Sequence, residues 1–162
     1  MVRMTVTADV SRTPVSKDLA ERARLLAENC DEWLHRVRLD PQGRWYERLH
    51  ADADHEVWII SWLPGQSTGF HDHGGSAGAF AVALGSLKEV AVNGNGTVST
   101  WTLEAGQAHG FGEHYIHDVR NVSTAPAISV HVYAPVLSTI NRFDLSPSGE
   151  LVTLKTEQSE EW

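Results

Sequence analysis

Residues 64–85 read PGQSTGFHDHGGSAGAFAVALG, and the reading of the whole chain turns on them. His71 and His73 stand two apart. On a β-strand that spacing puts both imidazoles on one face and Asp72 on the other. Neutral imidazole is the commonest side-chain metal ligand, so the pair makes half of a metal site. The plain alternative is a polar loop tip. Gly65 lies six residues before His71 and Gly85 seven after Gly78, and both flanks are rich in strand pattern.

Working outward, residues 56–63 (EVWIISWL) form an apolar strand ended by Pro64-Gly65, and residues 44–50 (RWYERLH) alternate. Residues 78–92 hold two strands around Gly85. Asn93-Gly94-Asn95-Gly96 is a hairpin turn whose return strand is 97–103. Further strands fall at 115–122, 127–134 and 150–157. Residues 1–13 read as a loose arm. Leu19, Ala23 and Leu26 then repeat at helical spacing, and a second short helix starts at Asp31 with Trp33, Leu34 and Val37. Asp40-Pro41-Gln42-Gly43 is a turn. Two leading helices followed by many short strands predict a mainly β, single-domain chain. Its architecture is a small β-barrel or jelly roll over 44–157, with an arm and helices over 1–40.

A second constellation lies at 116–136, IHDVRNVSTAPAISVHVYAPV. Ser129, His131 and Tyr133 alternate with Ile128, Val130 and Val132. The aliphatic set is expected to pack between the barrel wall and the helices, and the polar set to face a cavity. Three buried polar groups need partners, since each unpaired one costs about 1–3 kcal/mol. A relay from Ser129 through His131 to the Tyr133 hydroxyl satisfies all three. A solvent-facing strand would carry formal charges at these positions, and none is present.

Composition limits the remaining choices. The 162 residues suit one domain, large enough to fold without disulfides. Thirteen Lys and Arg against 21 Asp and Glu, with no basic run, argue against a nucleic-acid partner. No apolar run approaches the ~20 residues of a membrane span, and no signal peptide is visible. A lone cysteine, Cys30, excludes an internal disulfide and any cysteine-held metal, and with the missing signal predicts a cytoplasmic protein. No apolar stripe demands a partner, so a monomer is expected. A metal here would be held by histidine or carboxylate.

The spacing around His71 resembles the first cupin motif, G-x5-H-x-H-x4-E-x6-G, except that Gly78 stands where many cupins place a glutamate ligand. His117 and Asn121 resemble the second motif, H-x3-N. Over residues 44–136 the chain resembles the cysteine dioxygenase family of thiol dioxygenases. PGQSTGFHDHGGS is similar to the family's stretch with two iron-binding histidines. IHDVRNVSTAPAISVHVYAP is similar to its H-R-V-x-N segment followed by S-x-H-x-Y-x-P.

The resemblance implies that His71, His73 and His117 hold one Fe(II) per chain, with O2 as co-substrate. It implies that Ser129, His131 and Tyr133 form the outer-sphere triad. Tyr46 and Arg48 match a tyrosine–x–arginine segment, with Arg48 binding the substrate carboxylate, and Trp62 matches a tryptophan near the pocket. Three imidazoles would leave open positions on the ion, and the thiolate substrate would supply the negative charge. Animal members carry a cysteine where this chain has Gly78, so their thioether to the active-site tyrosine cannot form here. The implied reaction is oxidation of L-cysteine to cysteine sulfinate. The alternatives are 3-mercaptopropionate or another small thiol as substrate, a non-catalytic metal-binding cupin, and a zinc-using sugar isomerase. Apart from His131 and the three implied ligands, no histidine receives a role, and His35, His50, His55, His109 and His114 are expected at the surface.

Overall fold

Leu19, Ala23 and Ala27 repeat every four residues along α1 (Ser16–Glu28) and bury one face of it. They pack on a sheet rather than on another helix. The computed structural model describes residues 16–158, so the expected arm over 1–13 lies outside the described residues. After α1 come two single 3₁₀ turns, Cys30–Glu32 and Leu34–Arg36. The second expected helix is therefore corrected to these turns. Their sequence has no apolar stripe to bury: Leu34 and Cys30 are exposed, and Trp33 alone is buried. The Trp33 indole N–H donates to the Leu26 carbonyl at 2.8 Å and ties the segment back to α1.

The strands are β1 (Trp45–Ala51), β2 (Glu56–Trp62), β3 (Phe70–His71), β4 (Ala77–Leu84), β5 (Ser86–Val92), β6 (Val98–Glu104), β7 (Ala108–Phe111), β8 (Ile116–Arg120), β9 (Ala127–Ala134), β10 (Thr139–Leu145) and β11 (Leu151–Gln158). They form two antiparallel sheets, β1-β2-β9-β4-β7 and β11-β10-β3-β8-β5-β6. Their inner faces share one core, in which Phe80, Val82 and Phe111 of the first sheet meet Leu87, Leu103 and Val119 of the second. The sheets do not close into a barrel among the described residues, so the expected barrel is corrected to two facing open sheets. At one edge the start of α1 packs against β7: a Cβ on Gly110 would lie 2.1 Å from the Ser16 carbonyl oxygen.

This layering explains β9, buried along its whole length. Ile128, Val130 and Val132 join the α1-side cluster, while Ser129, His131 and Tyr133 point between the sheets. The Asn93–Gly96 turn joins β5 to β6 in register from Val92↔Val98 to Ser86↔Glu104. Gly85, at φ +75°, turns β4 into β5 where a Cβ would strike the Pro126 carbonyl oxygen at 2.6 Å. No helix among the described residues is long and apolar enough to cross a membrane.

Candidate metal centre

β3 and β8 pair with His71 directly opposite His117, so their imidazoles stand side by side, 4.7 Å between ring centroids. His73 lies two residues beyond, past the end of β3, in a turn that Asp72 pins to β10. The Asp72 N–H donates to the Asn141 carbonyl, and the Asp72 carboxylate accepts from the Asn141 N–H and amide. That brings the His73 ring to 4.9 Å from His71 and 5.0 Å from His117. One nitrogen from each histidine falls within 4.8 Å of the others.

The ring nitrogens show that a cation fits here. His71 donates Nδ1–H to the Gly69 carbonyl at 2.8 Å, which leaves Nε2 free. His117 donates Nδ1–H to a Glu89 carboxylate oxygen at 2.6 Å, which again leaves Nε2 free. His73 is 1% exposed, and neither of its nitrogens has a hydrogen-bond partner. An orphaned buried polar group costs about 1–3 kcal/mol, a cost that a bound metal ion removes. Burial holds His71 and His73 well below the usual histidine range, so both are neutral with a lone pair to give. Three imidazole nitrogens with no carboxylate among them suit iron, zinc, copper or nickel.

Beside the centre lies a cavity of about 290 Å³ whose walls include His71, His117, Tyr46, His131 and Tyr133. It meets the β9 relay. The Trp62 indole can only donate, and it donates to Ser129 Oγ at 2.8 Å. Ser129 then gives its own O–H to His131 Nε2 at 2.7 Å. His131 Nδ1–H is thereby directed at the Tyr133 oxygen, 3.4 Å away, and the Tyr133 proton is left for the cavity. Burial pushes His131 down to about 3 and Tyr133 above the usual phenol range, so the imidazole stays neutral and the phenol keeps its proton.

The expected substrate residues are divided. Tyr46 lines the cavity, but Arg48 and Trp62 do not. Trp62 lies behind the relay, fully buried, with the Arg44 guanidinium 5.3 Å from its ring centroid. Arg48 points away: its side chain is 53% exposed, 3.7 Å from Glu56 and over the Trp58 ring. Two arginines without an assigned role stand in the cavity instead, Arg44 immediately before β1 and Arg142 on β10. Arg44 has no ion-pair partner among the described residues, while Arg142 is 3.1 Å from Glu157 and donates to the Thr68 carbonyl. Burial and the Arg142 charge lower the Arg44 pKa. By alternation Arg44 shares the face of Tyr46 and Arg48, and four residue steps, ~13 Å along an extended chain, separate it from Arg48. The alternation therefore selects the face, but not which arginine on it meets the cavity.

Glu89 belongs to no motif of the sequence. On β5, Leu87, Glu89 and Ala91 form the inward phase, and a charged residue in that phase is the signal that could have marked it. Its second oxygen lies 2.7 Å from His109 Nδ1. Burial alone would raise the Glu89 pKa, but the contacts with His109 and His117 outweigh it and hold the group at about 2. His109, expected at the surface, is thus two contacts from the metal centre. Gly78 leaves no room for any side chain: a Cβ would meet Phe111 at 2.7 Å and the Tyr133 ring at 2.8 Å. The Ala134–Pro135 peptide bond is cis.

Two facing antiparallel sheets with histidines converging between them are the fold and site of the double-stranded β-helix, or cupin, proteins. Two solved structures share the fold. A protein from Thermus thermophilus is 25% identical, with a TM-score of 0.57 over 64% of this chain and 94% of that one. A Klebsiella pneumoniae protein with a double-stranded β-helix domain is 21% identical, with a TM-score of 0.54 over 74% of this chain and 90% of that one. Within that class the chain belongs to the cysteine dioxygenase type I family, whose model matches residues 15–146. Cysteine dioxygenase type 1 of Rattus norvegicus and of Mus musculus are each 30% identical over 127 residues. The match covers 72% of this chain and 63% of those relatives, so it spans less than two thirds of their length.

Proposed function

We propose that the chain is an iron-dependent thiol dioxygenase that oxidises L-cysteine to cysteine sulfinate, with residues 1–162 forming one cupin domain. The observation that carries this reading is a single cavity shared by two of the three clustered histidines, a phenol at the end of a buried hydrogen-bond relay, and an arginine free of any acidic partner among the described residues. His71, His73 and His117 would hold Fe(II), which when bound supplies the redox chemistry that joins O2 to a thiolate. The balance is R–S⁻ + O2 → R–SO2⁻, with both oxygen atoms ending on sulfur and the sulfur oxidised.

The chain's own groups do the rest. Arg44 receives the substrate carboxylate as a planar donor that stays charged. Tyr133 donates a hydrogen bond toward the sulfur end of the substrate. Trp62, Ser129 and His131 hold that phenol in one orientation. Leu137, Ile140 and Val119 give the cavity apolar walls.

A second reading, 3-mercaptopropionate as substrate, is favoured by one observation. Glu157, a carboxylate lining the cavity, is already paired with Arg142 and Lys155, so it is not free for an ammonium group. Oxygen uptake with a panel of small thiols decides between them. The proposal expects stoichiometric sulfinate from L-cysteine, and faster turnover of 3-mercaptopropionate would select the second substrate. Consumption of no thiol by iron-loaded protein would leave a non-catalytic metal-binding cupin.

Tyr133→Phe should keep full iron content and lower kcat about 100-fold, the scale of losing one positioned proton donor. Full activity in that variant, measured by oxygen uptake, would remove the phenol from the mechanism.

A further inference from the structure

Glu89 occupies a position where the fold asks for an apolar side chain. It faces inward between Leu87 and Ala91 on β5 and is 0% exposed. A carboxylate there is costly to desolvate and adds nothing to packing that a leucine would not. Its contacts show what it does instead. One oxygen accepts the Nδ1–H of His117 at 2.6 Å, and the other lies 2.7 Å from Nδ1 of His109. His117 comes from β8, beside β5 in the same sheet, and His109 from β7 in the facing sheet. Glu89 therefore joins both sheets behind the metal centre, and the partly exposed His109 ring, edge-on to Trp101, forms the outer end.

We propose that Glu89 is a positioning residue for the metal centre: it fixes His117 as the Nδ1–H tautomer and makes its Nε2 the most electron-rich donor of the three. The inference rests on the reading that the three histidines hold a metal. A neutral imidazole can carry its proton on either nitrogen, and the hydrogen bond at one decides which is free. A carboxylate acceptor also draws the Nδ1 proton toward itself and raises the basicity of Nε2. His71 has only a carbonyl acceptor and His73 has none, so the effect is confined to His117. Gly78 stands where a glutamate ligand is found in many cupins. The negative charge that a glutamate ligand would bring is absent from the ligand set, and Glu89 returns it one hydrogen bond further out. An electron-rich donor favours the more highly charged state of the metal and lowers its reduction potential. His109 Nδ1, 2.7 Å from the second carboxylate oxygen, draws on part of that charge.

The test uses the full chain. Apo protein is titrated with Co(II), and iron-loaded protein is poised electrochemically for its midpoint potential. Glu89→Gln keeps the shape and an acceptor oxygen but no charge. It is expected to weaken Co(II) binding about 10- to 100-fold and to raise the potential, with apo thermal stability maintained. His109→Gln leaves Glu89 with less of its charge shared and is expected to move the potential the opposite way. Being at a partly exposed position, it also serves if Glu89→Gln does not fold. Unchanged affinity and potential in folded Glu89→Gln overturn the proposal, as do shifts of the same sign in both variants or no shift in His109→Gln. Failure of the wild-type chain to bind Co(II) or iron overturns the metal centre, and this inference with it. Wild-type binding with an unaltered Glu89→Gln overturns the role of Glu89 alone.

Discussion

His117→Ala and His73→Ala should both lose the metal, yet they should differ in the stability of the apoprotein. Each removes one of three nitrogen donors, so bound iron, assayed by elemental analysis, should fall from about one per chain to below about a tenth. In apo His117→Ala the buried Glu89 carboxylate loses its 2.6 Å donor. Removing one partner from a buried charged hydrogen bond is among the costlier single changes. His73 has no protein partner on either nitrogen, so its loss leaves no group unpaired. His117→Ala should therefore be less stable by about 2 kcal/mol, or roughly 5 °C in Tm. Full iron in either variant would sink the three-histidine assignment. Equal apo melting temperatures would mean that the Glu89 contact carries no stability.

Arg44→Gln should raise KM for L-cysteine about 30-fold or more, whereas Arg48→Gln should change it little. Truncating one partner of a buried charge pair costs about 2–5 kcal/mol of binding, and 2 kcal/mol is a factor near 30. Arg44 is in the cavity wall with no acidic partner among the described residues, so a substrate carboxylate would be its counter-charge. Arg48 is half exposed, 3.7 Å from the buried Glu56, and does not line the cavity. A thiol without a carboxylate should not distinguish wild type from Arg44→Gln. Steady-state kinetics on both variants checks this, and a larger effect from Arg48 would return the carboxylate to the middle of β1.

The histidine pair at 71 and 73 was legible because its spacing and flanking glycines are local properties. The alternation of Ser129, His131 and Tyr133 was legible because a strand buried on both faces must sort its side chains by parity. Three strands were not legible. β3 has two residues, β7 has four including Gly110, and β10 (TINRFDL) carries no strong alternation because most of it is only half buried. With β10 unseen, Arg142 could not be placed.

The sequence by itself determined the mainly β class, the type and spacing of the histidines at 71 and 73, and the inward direction of the triad. These follow from the period of two and from turn chemistry, which act over a few residues. The tertiary structure alone decided that Arg44 rather than Arg48 meets the cavity, that Trp62 stands behind the relay, and that Glu89 backs His117. Each is a contact between strands far apart in the chain, set by how the two sheets face one another, and no local period encodes that distance.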